Sequence, residues 1–279
     1  MRCIFLITGL FFFIACAKKE ASDTIQSQIL LNIPYGSDSK QKMDIYLPAQ
    51  HDTTTTKLLV LIHGGGWTEG DKTDFNPFIT ELQKRLPEYA VANINYRLAT
   101  ISENHFPTQE NDVQAAIEFL IAKSAEYKIS KKVALLGASA GAHLALLHAY
   151  KHASPIRIKA AIDLFGPTEL VSLYNSSPNP SIPLLLKMIT EGTPVTHPLQ
   201  YEQSSPFHFI TKNSCPALLL HGGMDFLIPA SQSELFRDKL FKNEVASEYI
   251  FYPTEGHGWV GINLMDTFNK IEAFLKKYM

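Results

Sequence analysis

Cysteine is scarce in this sequence, and so is net charge. Of three cysteines among 279 residues, Cys3 and Cys16 lie near the amino terminus and Cys215 alone lies in the body of the chain. A single cysteine makes no disulfide within the folded part, so apolar burial must hold the fold together, and a chain of this length can supply it. Lys and Arg number 25 against 27 Asp and Glu, a formal net charge of -2. That balance gives no electrostatic footprint for nucleic acid and points to small or neutral partners. Internal repeats and low-complexity tracts are missing too. The longest apolar run, Cys3 to Ala17, is too short to span a bilayer comfortably.

That run has a different use. Arg2 precedes it and Lys18, Lys19 and Glu20 follow it, the layout of a signal peptide. Phe13-Ile14-Ala15-Cys16 resembles a bacterial lipoprotein signal, in which a small residue precedes a cysteine that is lipidated and becomes the first mature residue. Phe13 departs from the usual leucine. The expectation is a signal over residues 1–16, a lipid on Cys16, a tether over 17–27, and an exported, membrane-tethered protein in the periplasm or on the cell surface. Cleavage without lipid, or an uncleaved anchor, is the alternative.

From residue 28 to 279 the pattern is that of one α/β domain. Gln28 to Ile33 and Lys42 to Leu47 read as an early hairpin across Tyr35-Gly36-Ser37-Asp38. Six further apolar runs follow, at Lys57 to Ile62, Ala90 to Asn95, Lys132 to Leu136, Lys159 to Leu164, Ala217 to Leu220 and Ser247 to Tyr252. Apolar on successive residues, they suit strands covered on both faces. Helical periodicity lies between them: Phe78, Leu82 and Leu86; Val113, Ala116, Ile117 and Leu120; Leu235, Phe236 and Leu240; Phe268, Ile271, Phe274 and Leu275. The alternation predicts a mostly parallel sheet with helices on both sides. One stretch, 168–209, is long, rich in Ser, Asn and Pro, and holds a single apolar cluster at Ile182 to Ile189. It reads as a cap-like insertion before the seventh strand, or else as a peripheral helix over the sheet.

Gly137-Ala138-Ser139-Ala140-Gly141 follows one of these runs and opens a helix-like stretch, the context of a nucleophile elbow. A serine on so sharp a turn needs very small neighbours two residues away on either side. His63-Gly64-Gly65-Gly66-Trp67 also follows a strand, and bare backbone amides there suit the negative charge of a tetrahedral intermediate. Gly65, Gly66 and Ala140 are the expected oxyanion donors, with the Trp67 amide as a substitute. The loop lacks the lysine of a phosphate-binding loop and the spacing of a dinucleotide fingerprint.

A base and its partner come from two later turns, Asp225 in His221-Gly222-Gly223-Met224-Asp225 and His257 in Glu255-Gly256-His257-Gly258. The order Ser139, Asp225, His257 is that of the α/β-hydrolase arrangement. Asp163, at a strand end, is the main rival to Asp225. His63 is expected to hold its loop by hydrogen bonding. His143, His148 and His152 lack the spacing or the glutamate of a zinc motif, so no metal is expected. His197 and His208 fall in the insertion and are expected at the surface.

Taken together, the HGGGW loop, Asn95-Tyr96-Arg97, Phe106-Pro107 with Asp112-Val113, GASAG, HGGMD and EGHG resemble the α/β-hydrolase esterases. The likeness runs from about Leu59 to the carboxyl end. It is nearest to the bacterial carboxylesterases and the acetyl xylan and feruloyl esterase group, with hormone-sensitive-lipase-like enzymes and kynurenine formamidase as relatives. Ala138 stands where lipase-like relatives often carry aspartate, and Ala142 where many carry glycine. The resemblance implies an eight-stranded, mostly parallel sheet, no cofactor, and an acyl-enzyme formed on Ser139 with Asp225 and His257, over an oxyanion site of Gly65, Gly66 and Ala140. The implied substrates are acetyl or other small acyl esters, including those of plant-polymer carbohydrates. Formamide cleavage and a catalytically inactive binding module are the alternatives.

Overall fold

Alternate residues of the central strands go to opposite faces, and both faces are covered by apolar side chains. Leu58, Val60 and Ile62 join one buried cluster, while Leu59 and Leu61, between them, join the other. Such a strand has no solvent side, hence its unbroken apolar run. The computed structural model describes residues 25–152 and 156–279; the expected signal segment and Cys16 lie outside the described residues.

Eight strands form one sheet: β1 (Gln28–Pro34), β2 (Lys42–Leu47), β3 (Lys57–Ile62), β4 (Tyr89–Ile94), β5 (Val133–Ala138), β6 (Ile158–Leu164), β7 (Ala217–Gly222) and β8 (Ser247–Tyr252). Their spatial order is β1-β2-β4-β3-β5-β6-β7-β8. β2 runs antiparallel to β1 and β4, giving the expected hairpin, and every other pairing is parallel. The chain steps from β3 outward to β4 and then crosses back to place β5 on the other side of β3. Ligands in open α/β sheets bind where the strand order reverses in this way, at the carboxyl ends of the strands.

Helices α1 (Asn76–Arg85), α2 (Thr108–Ala122) and α3 (Ala140–Lys151) connect the first half of the sheet. The insertion holds α4 (Leu170–Ser176), α5 (Ser181–Ile189) and α6 (Pro198–Gln203), and α7 (Ser231–Lys242) and α8 (Gly261–Tyr278) complete the chain. Ile79 and Leu82 of α1 and Phe268, Ile271, Phe274 and Leu275 of α8 cover one face. The other face takes Val113, Ala116, Ile117 and Leu120 of α2, Leu144 and Ala145 of α3, and Phe236 and Leu240 of α7. Leu235 departs from its expected place: it is exposed, and Gln232 and Ser233 share the buried face of α7 instead.

The insertion is more ordered than its composition suggests. Glu169 caps α4, its carboxylate accepting from the amides of Val171 and Ser172, so a Ser- and Asn-rich segment still starts a helix. Pro198 at the first turn of α6 costs nothing, because no helical acceptor exists there for its missing N-H. Among the described residues no helix is long and apolar enough to cross a membrane.

Candidate active site

Ser139 adopts φ 55° and ψ -122°, between the end of β5 and the start of α3. A non-glycine residue in that region is strained, and the surroundings must hold it there. They do so by close approach on both sides. A Cβ on Gly137 would collide with the carbonyl of Gly141, and one on Gly141 with the carbonyl of Ile62 in β3. The Ser139 amide donates to the Leu164 carbonyl at 2.8 Å, and its carbonyl accepts from the His143 amide at 3.1 Å. The side chain is thereby turned out over the carboxyl end of the sheet.

The loop after β3 lies beside this turn because β3 and β5 pair in register, Ile62 opposite Gly137. Gly65, Gly66 and Trp67 have φ of 97°, 56° and 62°. At Gly65 a side chain would collide with the carbonyl of Glu69, so glycine is required there. The amides of Gly65, Gly66, Trp67 and Ala140 have no acceptor among the described residues. All four residues line one cavity with Ser139 and His257, of about 440 Å³.

His63 braces this loop. Its Nδ1 lies 2.8 Å from the Gly64 carbonyl and its ring stacks on Tyr96, centroids 4.3 Å apart. The Tyr96 hydroxyl donates to the carbonyls of His63 and Gly64. Burial lowers the His63 pKa, so a neutral ring is favoured.

His257 meets both of its expected partners. Its Nε2 is 2.8 Å from Ser139 Oγ and its Nδ1 is 2.7 Å from Asp225 Oδ2. With Nδ1 donating to the carboxylate, Nε2 is left to accept from the serine hydroxyl. The histidine side chain is 19% exposed and the aspartate 0%. The Phe165 ring stands edge-on to the imidazole, centroids 4.7 Å apart, and packs in turn on Trp259.

Asp225 is shared between two histidines. Its Oδ1 accepts from the amides of Leu227 and Ile228, both at 2.9 Å, and its Oδ2 also lies 3.4 Å from Nε2 of the buried His221. Burial alone would raise the Asp225 pKa, but the hydrogen bonds from His221 and His257 outweigh it and hold it well below the usual range. His221 is shifted upward: burial opposes its charge, yet Asp225, the Ile228 carbonyl and Asp163 together prevail. Asp163 itself is fully buried, and burial pushes its pKa up to about 7 against the opposing pull of His221 and the Gly166 amide. It accepts from that amide at 2.6 Å and anchors the turn after β6, while Asp225 holds His257.

Two histidines have places that sequence reasoning did not assign. His143, one turn after Ser139, has Nε2 2.6 Å from the Ser204 carbonyl, and its Nδ1 accepts from Trp67 Nε1 at 3.2 Å. It therefore ties the glycine loop to α3 and to the insertion, as a neutral ring whose pKa burial pushes down to about 4. His221 opens the HGGMD motif, but its approach to Asp225 depends on how the loop after β7 closes. The His residues 148, 152, 197 and 208 do not line the cavity. No group of three His, Cys, Asp or Glu among the described residues is placed to hold a metal.

The BD-FAE family matches residues 43–240, a span that takes in the loop after β3, Ser139 and Asp225 and stops short of His257. The chain is 29% identical over 235 residues to the probable carboxylic ester hydrolase LipM of Mycobacterium tuberculosis, covering 79% of this chain and 53% of that one. It thus spans about half the length of the curated relatives it matches. Among solved structures, a bifunctional GH43-CE protein of Bacteroides eggerthii is 28% identical with a TM-score of 0.77, over 89% of this chain and 38% of the other. A truncated carbohydrate esterase from gut microbiota, 22% identical, shares the fold with a TM-score of 0.74, over 90% and 99%. The sequence match covers well over half of the chain and the sheet agrees with it, so the chain belongs to the BD-FAE family of α/β-hydrolase esterases.

Proposed function

We propose that the chain is a serine carboxylic-ester hydrolase that works through an acyl-enzyme on acetyl or other small acyl esters, including those of plant-polymer carbohydrates. The observation that carries this reading is the continuous path from Ser139 Oγ to His257 at 2.8 Å and from His257 to Asp225 at 2.7 Å, in a cavity also lined by residues whose amides have no acceptor among the described residues. Ser139 attacks the ester carbonyl, and His257 Nε2 takes its proton and delivers it to the leaving alcohol. Asp225 keeps the imidazole in its tautomer and stabilises its protonated form. Gly65, Gly66 and Ala140, with the Trp67 amide as substitute, donate to the oxyanion, which needs them far more than the ground-state carbonyl does. Water on the same path then releases the acid.

Ser139→Ala is expected to lower turnover of p-nitrophenyl acetate by roughly a millionfold, because the three side chains act as a unit. Retention of wild-type turnover in that variant would contradict the reading. For the alcohol side, a panel of acetylated xylo-oligosaccharides and N-formylkynurenine separates carbohydrate ester cleavage from formamide cleavage. We also propose export and lipidation at Cys16, supported by the Phe13-Ile14-Ala15-Cys16 motif. Cys16→Ser is expected to move the protein from the membrane fraction to the soluble one.

A further inference from the structure

The leaving alcohol must lie beside His257, because that imidazole hands it a proton. The acyl group is then expected on the other side of Ser139, toward residues 65–69, which line the same cavity. So does α5. Ser181, Ile182 and Leu185 fall on one face of this helix, and all three line the cavity. Leu185 is the nearest to the glycine loop: a Cβ placed on Gly66 would meet Leu185 Cδ2 at 3.2 Å, with only Thr68 Oγ1 otherwise in range, at 3.9 Å. A leucine methyl thus packs close to the backbone of an expected oxyanion donor and lines the same cavity as Ser139.

α5 is anchored in the core through Ile182, Leu186 and Ile189. Leu186 and Ile189, each one turn along from a cavity-lining residue, are fully buried, and the Ile189 carbonyl accepts from the Phe106 amide at 2.9 Å. Leu173 of α4 lines the cavity as well. We infer that Leu185 closes the acyl side of the cavity and limits the substrate to short acyl groups such as acetyl, excluding long alkanoyl and feruloyl groups. This inference rests on the ester-hydrolase reading above and narrows it, since acetyl and feruloyl groups occupy the same, acyl side of the scissile bond and differ greatly in size there.

The test is an acyl-length profile of kcat/KM on p-nitrophenyl acetate, butyrate and hexanoate, with methyl ferulate alongside, for the wild type, Leu185→Val and Leu185→Ala. The wild type should favour acetate over hexanoate by at least about tenfold, and the hexanoate-to-acetate ratio should rise stepwise through Val to Ala, by about tenfold or more in the latter. Thermal melts identify a variant that fails to fold, and the milder Val substitution then carries the comparison. Equal wild-type rates on acetate and hexanoate, ready turnover of methyl ferulate, or a ratio unmoved in the folded variants would overturn the assignment of Leu185 while leaving the hydrolase reading intact. No turnover of any ester by folded wild-type protein would overturn both.

Discussion

Gly141 shows most directly how single residues determine this site. It faces the Ile62 carbonyl so closely that even one added methyl group must displace backbone. Gly141→Ala is therefore expected to cost at least about 2 kcal/mol, by overpacking a junction of strand and helix backbone, with loss of activity; chemical denaturation measures it. Ionisation gives a second expectation. Asp163 binds its proton more tightly in the fold, at about 7 against 3.8 in its ordinary state, so its contribution to stability falls as pH rises from about 4 to 7. His221, also raised, loses stabilisation in the same direction as pH rises through its folded value. Asp225 is depressed and acts oppositely, losing stabilisation only as pH falls through its folded value. Asp163→Asn removes the first contribution, so its Tm should drop less between pH 5 and pH 8 than that of the wild type; equal drops would contradict the burial argument. Ser139, Asp225 and His257 were legible in the sequence because each follows an apolar run in a glycine-flanked turn, in the required order. His143 and His221 gave no such signal, since their partners, Trp67 and Ser204 for one and Asp225 for the other, come together only through tertiary closure.

At the scale of elements, β3 and β5 matter most. Their pairing sets the glycine loop beside the Ser139 turn, and the loops after β7 and β8 bring Asp225 and His257 to the same end of the sheet. All eight strands could be read from the sequence, with ends displaced by up to two residues: the central ones, buried on both faces, leave unbroken apolar runs, while the exposed edge strand β1 is marked by the turn residues after it. α4 and α6 could not be read, because a side-chain cap and a proline at the first turn supply what periodicity does not. The segment between β4 and α2 is held by a charged clamp: Arg97 Nη2 lies 2.6 Å from Asp112 Oδ1, and the Arg97 amide donates to Oδ2 at 2.8 Å. The Asp112 side chain is only 1% exposed, so removing its cation leaves an uncompensated buried charge. Arg97→Ala is expected to lose about 3 kcal/mol, or roughly 6–12 °C in Tm. A calorimetric scan with no shift would show that the clamp contributes nothing.

For the whole molecule, the sheet separates two ends. Ser139 and His257 sit beyond the carboxyl ends of the parallel strands, whereas Gln28 pairs with Leu47 at the opposite end and the Ile25 carbonyl accepts from Gln50 there. The described chain thus begins on the side away from the cavity. The cavity takes none of its lining from β1, β2 or the turn between them, and is built at the carboxyl ends of the parallel strands. That placement has value only if Ser139 carries the acyl group. The most direct measurement is to acid-quench the protein during turnover of p-nitrophenyl acetate and locate the acetyl group by peptide mass spectrometry. Acetyl is expected on the Ser139 peptide, and none in Ser139→Ala. Turnover with Ser139 unmodified, and undiminished in the alanine variant, would contradict that expectation.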